Sequence, residues 1–183
     1  MDLLKKIEHF IEHEQLFHFR QKVLIAVSGG IDSMVLWDVC KCLQIPLAIA
    51  HCNFQLRGKE SDHDEYFVKE QASQNNDQIF IKKFETHDFA LKNKYAIQEA
   101  ARILRYEWFA QLLKGNQFDF ILTAHHADDN VETMLMNFFK GTGINGLKGI
   151  LPKNGKICRP LLFATREEIV LYAKENEILF RER

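Results

Sequence analysis

Five consecutive apolar residues, Val23 to Val27, stop abruptly at Ser28-Gly29-Gly30, and Val35, Leu36 and Val39 then follow at helical spacing. So short and unbroken an apolar run suits a strand buried on both faces, as strands are inside a parallel sheet. The pattern repeats along the chain. Leu47 to His51, Ile79 to Phe84 and Phe118 to Ala124 read as further strands. Leu3, Leu4, Ile7, Phe10 and Ile11 mark one amphipathic helix, and Ile97, Ala100, Ala101, Leu104, Trp108 and Leu112 mark another. Ser61-x-x-Asp64 and Thr165-x-x-Glu168 have the form of capping boxes opening two more, and a further helix begins near Asp128. Strands alternating with helices predict right-handed βαβ units. The fold class is therefore α/β, a doubly wound, mainly parallel sheet flanked by helices.

Composition limits what such a fold can serve. The 183 residues suit one domain. No apolar run approaches the ~18 residues of a membrane span, and no basic-then-apolar leader opens the chain. A cytoplasmic protein is expected, with no membrane partner. Cys40, Cys42, Cys52 and Cys158 form no C-x-x-C pair, which suits reduced, mostly buried thiols. The formal net charge of −1 lacks the basic excess of a protein that grips a nucleic-acid backbone by itself.

The segment with the most chemistry is Ser28 to Ser33, SGGIDS, between the first strand and its helix. Gly29 and Gly30 let the chain turn tightly with amides outward. Those amides, Ile31 included, and the positive end of the next helix make an anion nest, to which the hydroxyls of Ser28 and Ser33 can add donors. Asp32 would repel a phosphate unless a cation lay between them, so it is the predicted Mg²⁺ ligand. The plainer alternative is a glycine turn with Asp32 capping the helix. The string has no G-K-[ST] and no G-x-G-x-x-G, so it is neither a Walker loop nor a dinucleotide fingerprint.

Further segments narrow the choice. AHCNFQLRG follows the second strand, and Glu99 to Phe109 puts Arg102 and Arg105 three apart on a helix. Ala124 to Gly143, AHHADDNVETMLMNFFKGTG, gathers Asp128, Asp129 and Glu132 near a helix start. Complementarity to the helix dipole alone would explain such acids. The adjacent histidines lack the H-x-x-x-H spacing of a zinc site. GTGINGLKGI, Gly141 to Ile150, and RPLL, Arg159 to Leu162, complete the set.

Taken in order, these motifs resemble the tRNA(Ile)-lysidine synthetase family of pyrophosphate-loop ATPases, over nearly the whole chain from Lys22 onward. The resemblance implies a Rossmann-like fold of the adenine nucleotide alpha hydrolase kind. It implies one pyrophosphate-loop ATP-binding catalytic domain over residues 1–183, with the family's C-terminal tRNA-binding regions missing after FRER. It implies ATP and Mg²⁺ as cofactors, and His51 and Asn53 as nucleotide contacts. The arginine pair becomes functional, and glycines 141–149 become a place where backbone approaches RNA or phosphate.

The activity implied is ligation of free L-lysine to C2 of the wobble cytidine of tRNA(Ile) with a CAU anticodon, through an adenylated tRNA. Only about one lysine in ~2,500 is neutral at pH 7, so the site must hold an ammonium and take its proton. That gives Asp129 and Glu132 a function, with the division of labour among the acids open. A homodimer is possible in this family. The rival readings are a pyrophosphate-loop tRNA thiolase, disfavoured by the missing C-x-x-C, an amidotransferase-linked synthetase without its glutaminase domain, and a non-catalytic nucleotide-binding module.

Overall fold

A computed structural model describes residues 2–139 and 149–182. The element order is α1 (Leu3–His13), β1 (Val23–Ala26), α2 (Ile31–Cys42), β2 (Leu47–Asn53), α3 (Lys59–Gln74), β3 (Ile79–Lys83) and α4 (Thr86–Asn93). It continues with α5 (Ile97–Asn116), β4 (Phe120–Leu122), α6 (Ala127–Phe139), β5 (Lys153–Asn154), β6 (Ile157–Cys158) and α7 (Arg166–Glu175). Of the stretch Gly141 to Ile150, expected to approach RNA or phosphate, residues 141–148 lie outside the described residues.

One sheet of six strands runs β3-β2-β1-β4-β6-β5, with every neighbouring pair parallel except β5 and β6. The apolar run of β1 explains its central place. Val23, Ile25 and Val27 join the core beneath α1, α2 and α7, while Leu24 joins a second core with Trp108, Phe109 and Leu112 of α5. Alternate side chains thus need apolar partners on both faces, which only a covered sheet supplies.

The order reverses at β1: β2 and β3 lie to one side, β4 and β6 to the other. Chains leaving the carboxyl ends of β1 and β4 must part there, and the crevice between them is where ligands bind open α/β sheets.

Three local readings differ from the sequence expectation. Helix α3 starts at Lys59, two residues before Ser61, after Gly58 in a positive-φ conformation (51°). The Ser61 hydroxyl therefore caps nothing inside α3 and accepts from the Arg57 amide instead, at 3.1 Å. Helix α4 and the β5–β6 hairpin were not expected. The Asn154-Gly155 pair, with Gly155 at φ 58°, was the signal available for the hairpin. The capping box at Thr165 forms as read, Thr165 and Glu168 exchanging side-chain-to-backbone bonds.

Candidate active site

The phosphate-loop string occupies that crevice. Gly29 has φ 92°, and a Cβ added there would lie 3.3 Å from Val68 Cγ2 and 3.5 Å from Phe67 Cδ1. The positive φ is what calls for glycine, and the Val68 contact adds a tight fit. A Gly29→Ala variant should lose about 1–3 kcal/mol of stability through backbone strain, read by chemical denaturation. Gly30, at φ −76°, is the N-cap of α2 and offers no capping side chain, so the first-turn amides of Ile31 and Asp32 keep their anion-binding character. The Ile31 side chain is buried in the core, leaving its backbone as the part that can meet a ligand.

The two serines brace the loop. Ser33 Oγ donates to the Gly30 carbonyl at 2.8 Å and accepts from the Ser28 amide at 3.2 Å. Ser28 Oγ accepts from the Gly30 amide at 3.3 Å. From outside, the Arg181 amide donates to the Gly29 carbonyl at 2.9 Å, and its guanidinium reaches Asp64 and Glu60.

A cleft of about 430 Å³ opens above the loop, lined among others by Ser28, Asp32, Ser33, Arg105, His125 and Asp129. A second recess of about 340 Å³ adjoins it, sharing Ser28, Cys52, Phe54 and Arg105 and adding His51, Asn53 and Arg57. Both volumes are of ligand size. The fold thus brings Ser28, Asp32, Ser33, Arg105 and Asp129 to one cavity.

It places the other candidates differently. His51 is buried and its Nδ1 lies 2.8 Å from the Val27 carbonyl, fixing the exit of β1. Asn53, also buried, donates to Asp62 and Glu65 and accepts from the Gln55 amide. Arg105 lies over the Phe54 ring at 5.2 Å, between the two recesses, whereas Arg102 is exposed over Tyr106. Three helical positions differ by about 300° of rotation, so one arginine faces the cleft and the other stands beside it. Glu132 is exposed one turn beyond Asp129 on α6.

Two groups the sequence did not single out organise the acids. His126 is buried among three carboxylates. Its Nε2 lies 3.9 Å from Asp32 and 3.6 Å from Asp129, and its Nδ1 lies 3.5 Å from Asp128. Arg166, the first residue of α7, places its guanidinium on Asp32, while its backbone amide donates to Asp128 at 2.9 Å. Asp128 is thereby a helix anchor, and the Arg166 amide is the main reason its carboxyl titrates below the usual range. His125, bonded to Thr123 at 3.0 Å, is held below its ordinary pKa by burial first and then by Arg159.

Asp32 and Asp129 both come within 4 Å of one imidazole nitrogen, so two hard-oxygen donors face one space over the phosphate loop. Among the described residues no trio of His, Cys, Asp and Glu forms a protein-only metal site. One or two carboxylates completed by phosphate oxygens and water is how Mg²⁺ is held. The residues fit that ion.

Residues 2–183 match the family described as the PP-loop domain. The chain belongs to the PP-loop family. Among curated relatives, it is 44% identical over 171 residues to the tRNA(Ile)-lysidine synthase of Bacteroides thetaiotaomicron, covering 93% of this chain and 40% of that protein. It is 42% identical over 182 residues to the enzyme of the same name from Chlorobaculum tepidum, covering 97% and 55%. The chain thus spans from two fifths to little more than half the length of these relatives. Among solved structures, the U34-tRNA thiolase NcsA of Methanococcus maripaludis superposes with a TM-score of 0.77 at 22% identity, covering 98% of this chain and 65% of that one. An NH3-dependent NAD synthetase from Campylobacter jejuni superposes with a TM-score of 0.65 at 16% identity, covering 97% and 75%. Those two show a shared PP-loop fold. No described helix is long and apolar enough to cross a membrane.

Proposed function

We propose that this PP-loop domain carries the ATP-dependent chemistry of a tRNA(Ile)-lysidine synthetase, activating the wobble cytidine of a CAU-anticodon tRNA and joining lysine to it. The observation that carries the proposal is the single cleft shared by the phosphate loop, the two carboxylates and Arg105. The two relatives are tRNA(Ile)-lysidine synthases, which supplies the substrate class.

The first-turn amides of Ile31 and Asp32, with the turn at Gly29, would take the polyphosphate of ATP. Asp32 would hold Mg²⁺, with Asp129 on the other side of His126. A divalent ion held by Asp32 would supply charge neutralisation to the polyphosphate and to departing pyrophosphate. His51 and Asn53 fix the strand end against which the adenosine lies. In the first step the cytidine O2 attacks the α-phosphate, giving adenylated tRNA and pyrophosphate. In the second, the lysine ε-amine attacks C2 and AMP leaves.

Arg105, at the boundary of the two recesses, stabilises charge on the transferring phosphoryl group, and exposed Arg102 meets incoming RNA. Asp129, with Glu132 one turn on, binds the lysine ammonium and accepts its proton. A homodimer, if formed, would have an apolar surface to use on α6, where Val131, Leu135, Phe138 and Phe139 are exposed.

The test is incubation of the full-length enzyme that carries this domain with ATP, Mg²⁺, labelled lysine and the CAU transcript. Label in the RNA is expected; an unlabelled transcript, with an active synthetase run in parallel as control, refutes the ligation.

The thiolase reading fares worse on chemistry. Cys52 is the cysteine on the cleft wall, and burial pushes its thiol up to about 12. Almost none is thiolate at neutral pH, so it is a poor nucleophile or sulfur carrier. Cys52→Ala is accordingly expected to retain most of the pyrophosphate-release rate. Abolished activity in a folded C52A protein would revive a sulfur-transfer reading.

A further inference from the structure

A carboxylate beside an anion nest needs a positive neighbour at all times, not only when metal is bound. In this structure that neighbour is Arg166, whose Nη1 contacts Asp32 Oδ1 across 134 positions of sequence. The backbone of Arg166 is fixed twice, by the Thr165–Glu168 capping box and by its amide bond to Asp128 at 2.9 Å. Its side chain is not enclosed, being 46% exposed against 27% for Asp32. A long side chain on a fixed root, at the edge of an open cleft, can change partners without moving α7.

The two ends of the pair have different best partners. A compact carboxylate is a good ligand for a hard divalent ion, and a planar guanidinium matches phosphate oxygens in a two-pronged fashion. When a metal–polyphosphate complex enters the loop, both gain by exchanging. We propose that Arg166 is a charge-exchange residue: it shields Asp32 while the loop is empty, then yields Asp32 to the divalent cation and turns onto the polyphosphate. The inference rests on the reading above that Asp32 takes the cation, and adds to it a phosphate-binding group from a distant helix. Arg166 is 38 residues from Asp128 and 134 from Asp32, and its place beside both is a product of the fold alone.

The exchange predicts opposite effects of one substitution on two ligands, which a merely structural role does not. In Arg166→Ala the backbone amide remains, so the Asp128 bond and the start of α7 persist. Mn²⁺ replaces Mg²⁺ so that binding to the intact protein is followed by electron paramagnetic resonance without turnover. Without nucleotide, R166A should bind Mn²⁺ more tightly than wild type, on the order of tenfold, because a competing cation is gone. With saturating metal, a non-hydrolysable ATP analogue should bind R166A more weakly, by roughly 10-fold or more, because a charge-assisted phosphate contact is lost. Arg166→Lys should fall between on both measures.

Equal Mn²⁺ affinity in R166A and wild type, or unchanged analogue binding, overturns the exchange. The underlying reading fails separately: if Asp32→Asn holds Mn²⁺ with nucleotide as wild type does, Asp32 is not the cation ligand, and the proposal falls with it.

Discussion

Replacing Asp32 with asparagine is expected to lower ATP-dependent pyrophosphate release by roughly 10²–10³-fold, the usual cost of removing one group that stabilises charge in the transition state. Asparagine keeps the size of the side chain and loses the charge that a divalent ion requires. The fold should survive, because Asp32 is partly exposed and lies at the start of α2 rather than in either core. Its partner Arg166 would lose an ion pair at the edge of water, where such pairs contribute little. The measurement is pyrophosphate release alongside a melting curve. A folded D32N protein that releases pyrophosphate at the wild-type rate would remove Asp32 from the chemistry.

The second large effect is on stability. Phe109 is 1% exposed, packs against Trp108 and Tyr106 with ring centroids 5.8 Å and 6.2 Å away, and also forms part of the cleft wall. Phe109→Ala removes a large buried ring from the face of the sheet that α5 covers. The expected cost is about 3–5 kcal/mol, which for a chain of this length lowers Tm by roughly 10 °C. Because the cavity opens onto the nucleotide cleft, binding of ATP should weaken as well. A loss below about 1 kcal/mol would mean that the ring is not part of the packed core.

How much of this was legible before any coordinates depends on the range of the forces involved. The central strand was legible because burial on two faces demands an unbroken apolar run, and Val23 to Val27 is one. The phosphate loop was legible because the positive φ at Gly29 is a local demand that one residue type meets. Helix α4 was missed because it buries only Thr86 and Ala90, too few positions to print a helical stripe. The start of α3 was misplaced because Ser61-x-x-Asp64 has the form of a cap, while Gly58 had already turned the chain.

The site was legible in its parts and not in its wiring. Asp32 could be nominated from the loop string and Asp129 from the family resemblance, but nothing local says that His126 stands between them or that Arg166 arrives from the far end of the chain. The arginine pair shows the same limit from the other side. Their three-residue spacing placed both near one helix face, yet whether that face meets the cleft depends on how α5 lies on the sheet. Arg105 reaches the cavity and Arg102 stands exposed over Tyr106.

The central claim is that the turn after β1 cradles polyphosphate with Asp32 joined to it by a divalent ion. The direct measurement is a crystal structure with Mn²⁺ and a non-hydrolysable ATP analogue, the metal located by anomalous scattering. The account predicts phosphate oxygens on the first-turn amides of Ile31 and Asp32, and a metal peak about 2–2.3 Å from an Asp32 oxygen. Nucleotide bound elsewhere, or a metal peak remote from Asp32, would contradict it.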